Sequence, residues 1–105
     1  MTDYGVVFMT ASSTEEAEHI AERLVTQKLA ACVNVIPNIK SFYWWEDKVC
    51  KEDELLMIAK IKTSDFKELE KSVKEIHSYD VTEIILVPVA AGSNSYLDWI
   101  KQVTI

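Results

Sequence analysis

The order of the elements that the sequence predicts, β-α-β-β-α-β followed by a short helix, is typical of an α+β fold. Three patterns predict it: two helices with one apolar stripe each, two unusually long β-segments around a polar turn, and an apolar strand near the C-terminus. At 105 residues, with 49% apolar and 27% charged residues, we expect residues 1–105 to form one domain with its own core.

The first βα unit occupies the N-terminal quarter of the chain. Tyr4–Thr10 is β-rich and apolar on both faces, which predicts a central strand. Two capping-box spacings follow, Ser12 with Glu15 and Ser13 with Glu16. Apolar residues then recur at helical spacing, and they are Ala17, Ile20, Ala21, Leu24 and Val25. These patterns predict an amphipathic helix that leaves His19 on its solvated face.

A long β-hairpin is predicted next. Its strands run from about Ala31 to Trp45 and from about Val49 to Lys62, joined by a tight turn at Glu46-Asp47-Lys48. Strands of about 14 residues extend ~45–50 Å, which exceeds the roughly 33 Å diameter of a compact domain of this length. Pro37 cannot donate a ladder hydrogen bond, so we expect a bend, a bulge or an edge position there.

The register and the tip of this hairpin have consequences for assembly. Two turn registers are open, and Lys40 faces Asp53 in one and Glu54 in the other. The far end carries four consecutive aromatic residues, Phe42–Trp45, and each can bury ~150–250 Å². Because so large an apolar surface marks an interaction site, we expect another copy of the chain to cover the tip.

The second half of the chain repeats the βα pattern. Thr63-Ser64-Asp65 predicts the cap of a second helix, which frays at 77–80. A continuous apolar strand is predicted at Glu83–Val89, and a short helix covers Tyr96–Val103. Two βα units joined by a hairpin form the ferredoxin-like arrangement, with both helices on one face of a four-stranded antiparallel sheet. The other face needs a cover, which again predicts a homo-oligomer.

Charge and hydropathy disfavour several functions. The net charge is −6 and Arg23 is the single arginine, so a phosphate-neutralising face for nucleic acid is not expected. The longest apolar run, Ile84–Ala91, is shorter than the ~20 residues of a membrane helix. No basic segment precedes an apolar core at the N-terminus, so we expect a cytoplasmic protein. Cys32 and Cys50 lack zinc-site spacing and are expected to be free, although the hairpin register leaves a disulfide open.

Several segments resemble one known family. They are LAACVNVIP (Leu29–Pro37), SFYWWEDK (Ser41–Lys48), Glu54 followed by KIKT (Lys60–Thr63), the stretch His77–Ile84, and YLDWI (Tyr96–Ile100). In this order and spacing the chain resembles the CutA family, the divalent-cation tolerance proteins, over essentially its whole length. The resemblance implies a ferredoxin-like homotrimer in which long hairpins pair between subunits.

The chain also departs from that family's usual sequence. Asp47 stands where members usually have glycine, and Ser78 and Thr82 stand where they usually have proline. Members proposed to bind copper carry a cysteine at the position of Met9, and a thioether suits Cu(I) better than Cu(II). Loss of the prolines predicts a less rigid segment after the second helix.

His77 and Glu83 are the candidate metal ligands. Imidazole suits copper, zinc or nickel, and a nearby carboxylate could complete a site between subunits. With the resemblance, this predicts a trimeric tolerance or response protein that binds divalent cations weakly, copper first among them. The structural alternative is that His77 caps carbonyls at the end of a helix and that Glu83 only begins a strand.

A second function remains open from the sequence. Tyr79, Glu54 and Lys60, with the N-terminus of the first helix, could line an inter-subunit cleft for a small ligand, as in PII signalling trimers. The chain would then be a non-catalytic trimeric scaffold or signalling module with small-molecule or protein partners. No nucleophile has a plausible base and orienting partner, so we do not expect an enzyme.

Overall fold

Four strands and three α-helices make up the described part of the chain, residues 3–105 of a computed structural model. In chain order the elements are β1 (Tyr4–Ala11), α1 (Thr14–Thr26), β2 (Cys32–Trp45), β3 (Lys48–Lys62), a 3₁₀ turn (Thr63–Asp65), α2 (Phe66–Ile76), β4 (Ile84–Pro88) and α3 (Asn94–Val103). The strands form one antiparallel sheet in the order β2-β3-β1-β4. The predicted ferredoxin-like fold is confirmed.

The core lies between one face of the sheet and the helices α1 and α2. Alternate residues of β1 and β3 point into it, and the antiparallel register sets Met9 opposite Met57 and Val7 opposite Ala59. The helices contribute their apolar stripes, whose fully or almost fully buried members are Ala17, Ile20, Leu24, Leu69 and Val73. Each large aliphatic side chain buried here stabilises the fold by ~1.5–3 kcal/mol.

The two helix starts differ from each other. Ser13 caps α1 by accepting a hydrogen bond from the backbone N–H of Glu16, at 3.1 Å, as the capping-box spacing predicts. The cap predicted for α2 is wrong, because Thr63–Asp65 forms a 3₁₀ turn that continues into the helix without a side-chain cap bond. The Oγ1 atom of Thr63 and the Oδ2 atom of Asp65 are buried there without a hydrogen-bond partner. Burial raises the pKa of Asp65.

The hairpin turn is shorter than predicted. Trp45 pairs with Lys48, so the turn consists of Glu46 and Asp47 alone, and Lys48 belongs to β3. Both turn residues have positive φ, 49° and 63°, as a two-residue turn of type I′ requires. This register sets Lys40 opposite Asp53, and the two side chains form an ion pair at 2.8 Å.

A β-bulge interrupts β2, as expected at its proline. Ile36 pairs with Leu56 and Ile39 pairs with Glu54, so two residues of β2 oppose one residue of β3. The second bulge residue, Asn38, has a φ of 64°. Because the extra residue shifts the alternation of side chains, odd-numbered residues of β2 beyond the bulge share the face of Glu54.

Much apolar surface remains uncovered by the chain itself. The residues extend over 44 × 26 × 23 Å, and the hairpin tip exposes 65% of Phe42, 74% of Trp44 and 61% of Val49. On the face of the sheet opposite α1 and α2, Ile85 of β4 is also exposed. These surfaces are what a partner would cover. Within residues 3–105 no helix has the length and apolarity to span a membrane.

The two cysteines are free, as expected. Cys32 pairs across the ladder with Lys60 and Cys50 with Tyr43, so the register holds the two thiols apart. The Sγ atom of Cys32 instead lies 3.5 Å from the hydroxyl of Tyr96 on α3. That contact brings α3 to the sheet face opposite α1 and α2.

The turn offers a first test. Asp47→Gly should stabilise the protein by ~0.5–1 kcal/mol, because glycine adopts positive φ without the steric penalty of a Cβ. The neighbouring substitution Lys48→Gly is the control and should destabilise by ~0.5–1 kcal/mol, since Lys48 lies in a strand. Urea unfolding at one protein concentration measures both. An equal decrease in the free energy of unfolding for both variants would contradict the assigned turn.

Candidate functional site

A pocket of about 870 Å³ lies between the hairpin and the segment that joins α2 to β4. The hairpin contributes aromatic and acidic side chains, and the segment contributes Tyr79, Asp80 and Glu83. Small-molecule sites have volumes of ~300–1,000 Å³, so the pocket is large enough for more than a bare ion.

His77, the first predicted metal ligand, is not among the residues that line this pocket. It is the C-cap residue of α2, and its side chain is fully buried. Nε2 lies 2.8 Å from the carbonyl oxygen of Thr10, and Nδ1 accepts a hydrogen bond from the backbone N–H of Tyr79 at 3.1 Å. These two partners select the neutral imidazole protonated at Nε2. Both ring nitrogens are therefore bonded within the chain, to β1 and to the segment after α2.

Glu16 anchors the same segment from the other side. Its carboxylate accepts hydrogen bonds from the backbone N–H of Ser12 at 3.0 Å and of Ser78 at 2.8 Å, and it lies 3.9 Å from Nδ1 of His77. Burial of the carboxyl opposes its ionisation, but the hydrogen bonds from Ser12 and Ser78 outweigh burial and lower its pKa to about 2. A proline at position 78 could not donate this bond.

Tyr79 and Glu54 meet at the pocket wall. The Tyr79 hydroxyl donates to Oε2 of Glu54 at 2.5 Å, and Glu54 is 7% exposed. Burial raises the pKa of Tyr79, and the hydrogen bond to Glu54 raises it further. The ring of Tyr79 packs against His77, with 4.7 Å between centroids. His77 thus holds the residue that contacts the buried carboxylate.

Glu83, the second predicted ligand, does line the pocket. Partial burial raises the pKa of its carboxyl, and the negative charge of Glu54 adds to the shift. On the hairpin side, a hydrogen bond to Glu52 raises the pKa of Tyr43 to about 12. Lys40, the cation among the described lining residues, is paired with Asp53. The pocket therefore presents mainly negative charge and hydrogen-bond acceptors.

Of the residues predicted to line an inter-subunit cleft, Tyr79 and Glu54 meet within one chain. Lys60 lies six residues further along β3, ~20 Å from Glu54, and donates to the side-chain oxygen of Asn34. The α1 N-terminus borders a separate hollow of about 200 Å³ beside the bulge. Within one chain, Lys60 therefore does not join Tyr79 and Glu54, and the inter-subunit cleft stays a prediction. His19 is exposed on α1, as expected.

The described donors do not complete a metal site within one chain. Among residues 3–105, no group of three His, Cys, Asp or Glu side chains could hold a metal ion. Glu54 and Glu83 supply a pair of interacting carboxylates, whereas a zinc or copper ion takes about four ligands. Met9 is fully buried in the core between sheet and helices, so its thioether does not face the pocket.

Together these features define a ferredoxin-like protein with an extended hairpin and an acidic, aromatic-lined pocket between that hairpin and the segment after α2. A family model described as CutA1 divalent ion tolerance protein matches residues 5–103. The chain belongs to this family.

Relatives and solved structures agree over nearly the full length. The Divalent-cation tolerance protein CutA of Thermus thermophilus is 43% identical over 99 residues, covering 94% of this chain and 96% of that protein. A CutA1 structure from Oryza sativa superimposes with a TM-score of 0.96 at 40% identity, covering 99% of this chain and 95% of that one. A structure from Archaeoglobus fulgidus, described as a periplasmic divalent cation tolerance protein CutA, has a TM-score of 0.93 at 45% identity, with coverages of 95% and 97%.

Several site residues could not be assigned from the sequence. Glu16 was visible only as part of a capping box, and nothing in its spacing indicated that its carboxylate reaches Ser78. No sequence pattern distinguishes Asp80 and Glu52 from other acidic residues, and only the fold places them in one pocket. The hydrogen bond between Tyr79 and Glu54 joins residues 25 positions apart.

The lowered pKa of Glu16 predicts a pH effect on stability. A carboxyl with pKa 4.5 unfolded and about 2 folded stabilises the protein above pH 4.5, and this stabilisation is lost as pH falls toward 2. The contribution is on the order of 1–3 kcal/mol, because solvent screens part of the charge on this partly exposed carboxylate. Glu16→Gln should lower the free energy of unfolding at pH 7 and flatten its decline between pH 4.5 and 2.

Urea unfolding across that pH range measures the effect. Glu18→Gln is the matched control, because Glu18 lies on the exposed face of the same helix. The control should follow the wild-type curve. A Glu16→Gln curve that also parallels wild type would show that the buried carboxylate does not anchor the segment.

Proposed function

We propose that this protein is a homotrimeric divalent-cation tolerance protein that binds copper or other divalent cations weakly, at sites completed between subunits. The observation that carries the proposal is that Glu54 and Glu83 line one acidic pocket, where the negative charge of Glu54 repels that of Glu83. A divalent cation between such carboxylates relieves that repulsion and stabilises their ionised form, so it lowers their pKa. Membership of the tolerance family supports the same ligand class.

Glu83 is the first ligand in this proposal, since it lines the pocket. His77 can join it only in a conformer in which the Tyr79 N–H or the Thr10 carbonyl releases a ring nitrogen. A neighbouring chain would supply the remaining donors. Weak binding follows, because one chain offers too few donors and any use of His77 first breaks a hydrogen bond.

The trimer is proposed from uncovered apolar surface. The hairpin tip and the open face of the sheet together expose Phe42, Trp44, Val49 and Ile85, more apolar surface than a small monomer commonly leaves in water. Pairing of hairpins between three chains would cover the tip. The family's description names tolerance of divalent ions and no reaction, so the role we propose is non-catalytic. The cytoplasmic location stays a prediction, and the relative from Archaeoglobus fulgidus is described as periplasmic.

The second candidate function, a non-catalytic scaffold or signalling trimer that binds a small ligand or partner protein between subunits, also has support. The incomplete donor set favours it, because a protein selected for tight metal binding would group three or more ligands. The pocket volume favours it as well. Metal binding would then be incidental to a different ligand.

Calorimetric titration with Cu²⁺ and Zn²⁺ tests the cation site. Glu83→Gln should weaken binding about tenfold, because it removes a charged ligand. Wild-type affinity should rise with pH above 4.5, the ordinary pKa of glutamate. The reason is that protons compete with the cation for the Glu83 carboxylate, whose pKa is raised. Glu18→Gln, which removes a charge from the exposed face of α1 outside the pocket, is the control and should bind as wild type does.

His77→Gln distinguishes the two candidate ligands. Since both ring nitrogens are bonded within the chain, its effect on affinity should be smaller than that of Glu83→Gln. Binding that needs His77 and ignores Glu83 would contradict the proposed order of ligands. Equal, very weak binding by wild type and both variants would leave the scaffold function as the better account.

Trp45→Asp tests assembly. Light scattering of the wild type should give three times the chain mass of 12.0 kDa. The variant should give monomers or aggregates with a lower melting temperature, because a charge at the hairpin tip opposes burial between chains. Trp45→Phe, which keeps an apolar ring, should remain trimeric. A wild-type monomer, or a Trp45→Asp trimer with unchanged melting temperature, would show that the hairpin tip does not assemble the protein.

A further inference from the structure

The bulge in β2 determines which side chains of the hairpin face the pocket. Beyond it, Tyr43 pairs with Cys50, and Trp45 pairs with Lys48. Side chains alternate along a ladder, so Tyr43 and Trp45 lie on the same face as Glu52 and Glu54. Two aromatic rings and two carboxylates therefore line one side of the cavity.

The hydroxyl groups of the two tyrosines on the pocket walls already have carboxylate partners. Tyr79 donates to Glu54, and the hydroxyl of Tyr43 is hydrogen-bonded to Glu52. Each carboxylate keeps further lone pairs that can accept. A ligand in this pocket therefore meets acceptors, negative charge and ring faces, and its own polar groups should be donors.

Ring faces and carboxylates together favour organic cations. Ammonium groups are attracted to the faces of tryptophan and tyrosine and are charge-assisted donors to carboxylates. A bare metal ion uses neither the rings nor most of the 870 Å³. Opposite Tyr43 and Glu52, the segment after α2 adds Tyr79, Asp80 and Glu83, so negative charge is present on both walls.

We propose that this pocket binds an alkyl polyamine, with its ammonium groups on the carboxylates of the two walls and its methylene chain on the rings of Tyr43 and Tyr79. A polyamine carries donors and no acceptors, and its separated charges match carboxylates on opposite walls. This ligand class rests on the pocket alone and does not require that divalent metals bind.

Calorimetric titration of spermidine into the full-length wild-type protein is the test. We expect saturable binding that weakens with added salt. Glu52→Gln and Tyr43→Leu should each weaken it about three- to tenfold, the first by removing a charge and the second by removing a ring face. Glu18→Gln is the matched control, because it removes the same charge from the exposed face of α1, outside the pocket. It should bind spermidine as wild type does.

Two comparison ligands identify what the pocket recognises. Mg²⁺ at equal charge concentration should compete poorly, because it cannot use the rings, and tetramethylammonium should bind more weakly than spermidine, because it has no N–H donors. Absence of spermidine binding to the wild-type assembly would overturn the proposal. So would equal weakening by Glu52→Gln and Glu18→Gln, which would indicate attraction to the acidic surface at large.

The outcomes separate this proposal from the metal-site proposal. Spermidine binding that Cu²⁺ does not displace, with no Cu²⁺ binding of its own, would support the polyamine site and remove the metal site. Cu²⁺ binding that depends on Glu83, without spermidine binding, would do the reverse. Mutual displacement would support one pocket for both classes of cation.

Discussion

The pairing of β2 with β3 through the bulge at Pro37 and Asn38 is the constraint on which the rest of the structure depends. One extra residue in β2 reverses which side chains beyond it face the pocket, and it brings Tyr43 onto the face of Glu54. Without it, the alternation would place Phe42 there and turn Tyr43 away. Proline has no backbone N–H to donate to the ladder, and asparagine tolerates the positive φ. These two residues therefore determine which side chains face the pocket from the hairpin.

The opposite wall depends on two buried polar anchors. Glu16 holds the backbone N–H of Ser78, and His77 bonds the Thr10 carbonyl and the backbone N–H of Tyr79. This segment lies outside regular secondary structure, so these bonds replace the ladder or helix bonds that would otherwise position it. A proline at position 78 would restrain the backbone covalently, whereas here the hydrogen bond from the Ser78 N–H to a carboxylate restrains it. A histidine that reads as a metal ligand in the sequence is, in the folded chain, a structural support for Tyr79.

Assembly and ligand binding are linked by the same hairpin. Its outer half exposes Phe42 and Trp44, and the same half contributes Tyr43, Glu52 and Glu54 to the pocket. A partner that covers the tip would also approach the open side of the pocket. Among residues 3–105, one chain does not provide a complete set of metal ligands. The ligand therefore depends on which residues the neighbouring chains add, and the acidic residues of one chain do not identify it.

The sequence by itself determined the fold class, the family and the long hairpin, because hydrophobic period and turn chemistry act locally. It limited Pro37 to a bend, a bulge or an edge position and the partner of Lys40 to Asp53 or Glu54. Turn length was wrong by one residue, since only the ladder decides between neighbouring registers. Tertiary structure alone decided that His77 is saturated by backbone partners, that Lys60 lies far from Glu54, and that four carboxylates share one pocket. Those facts depend on contacts between residues distant in the chain, which no local pattern encodes.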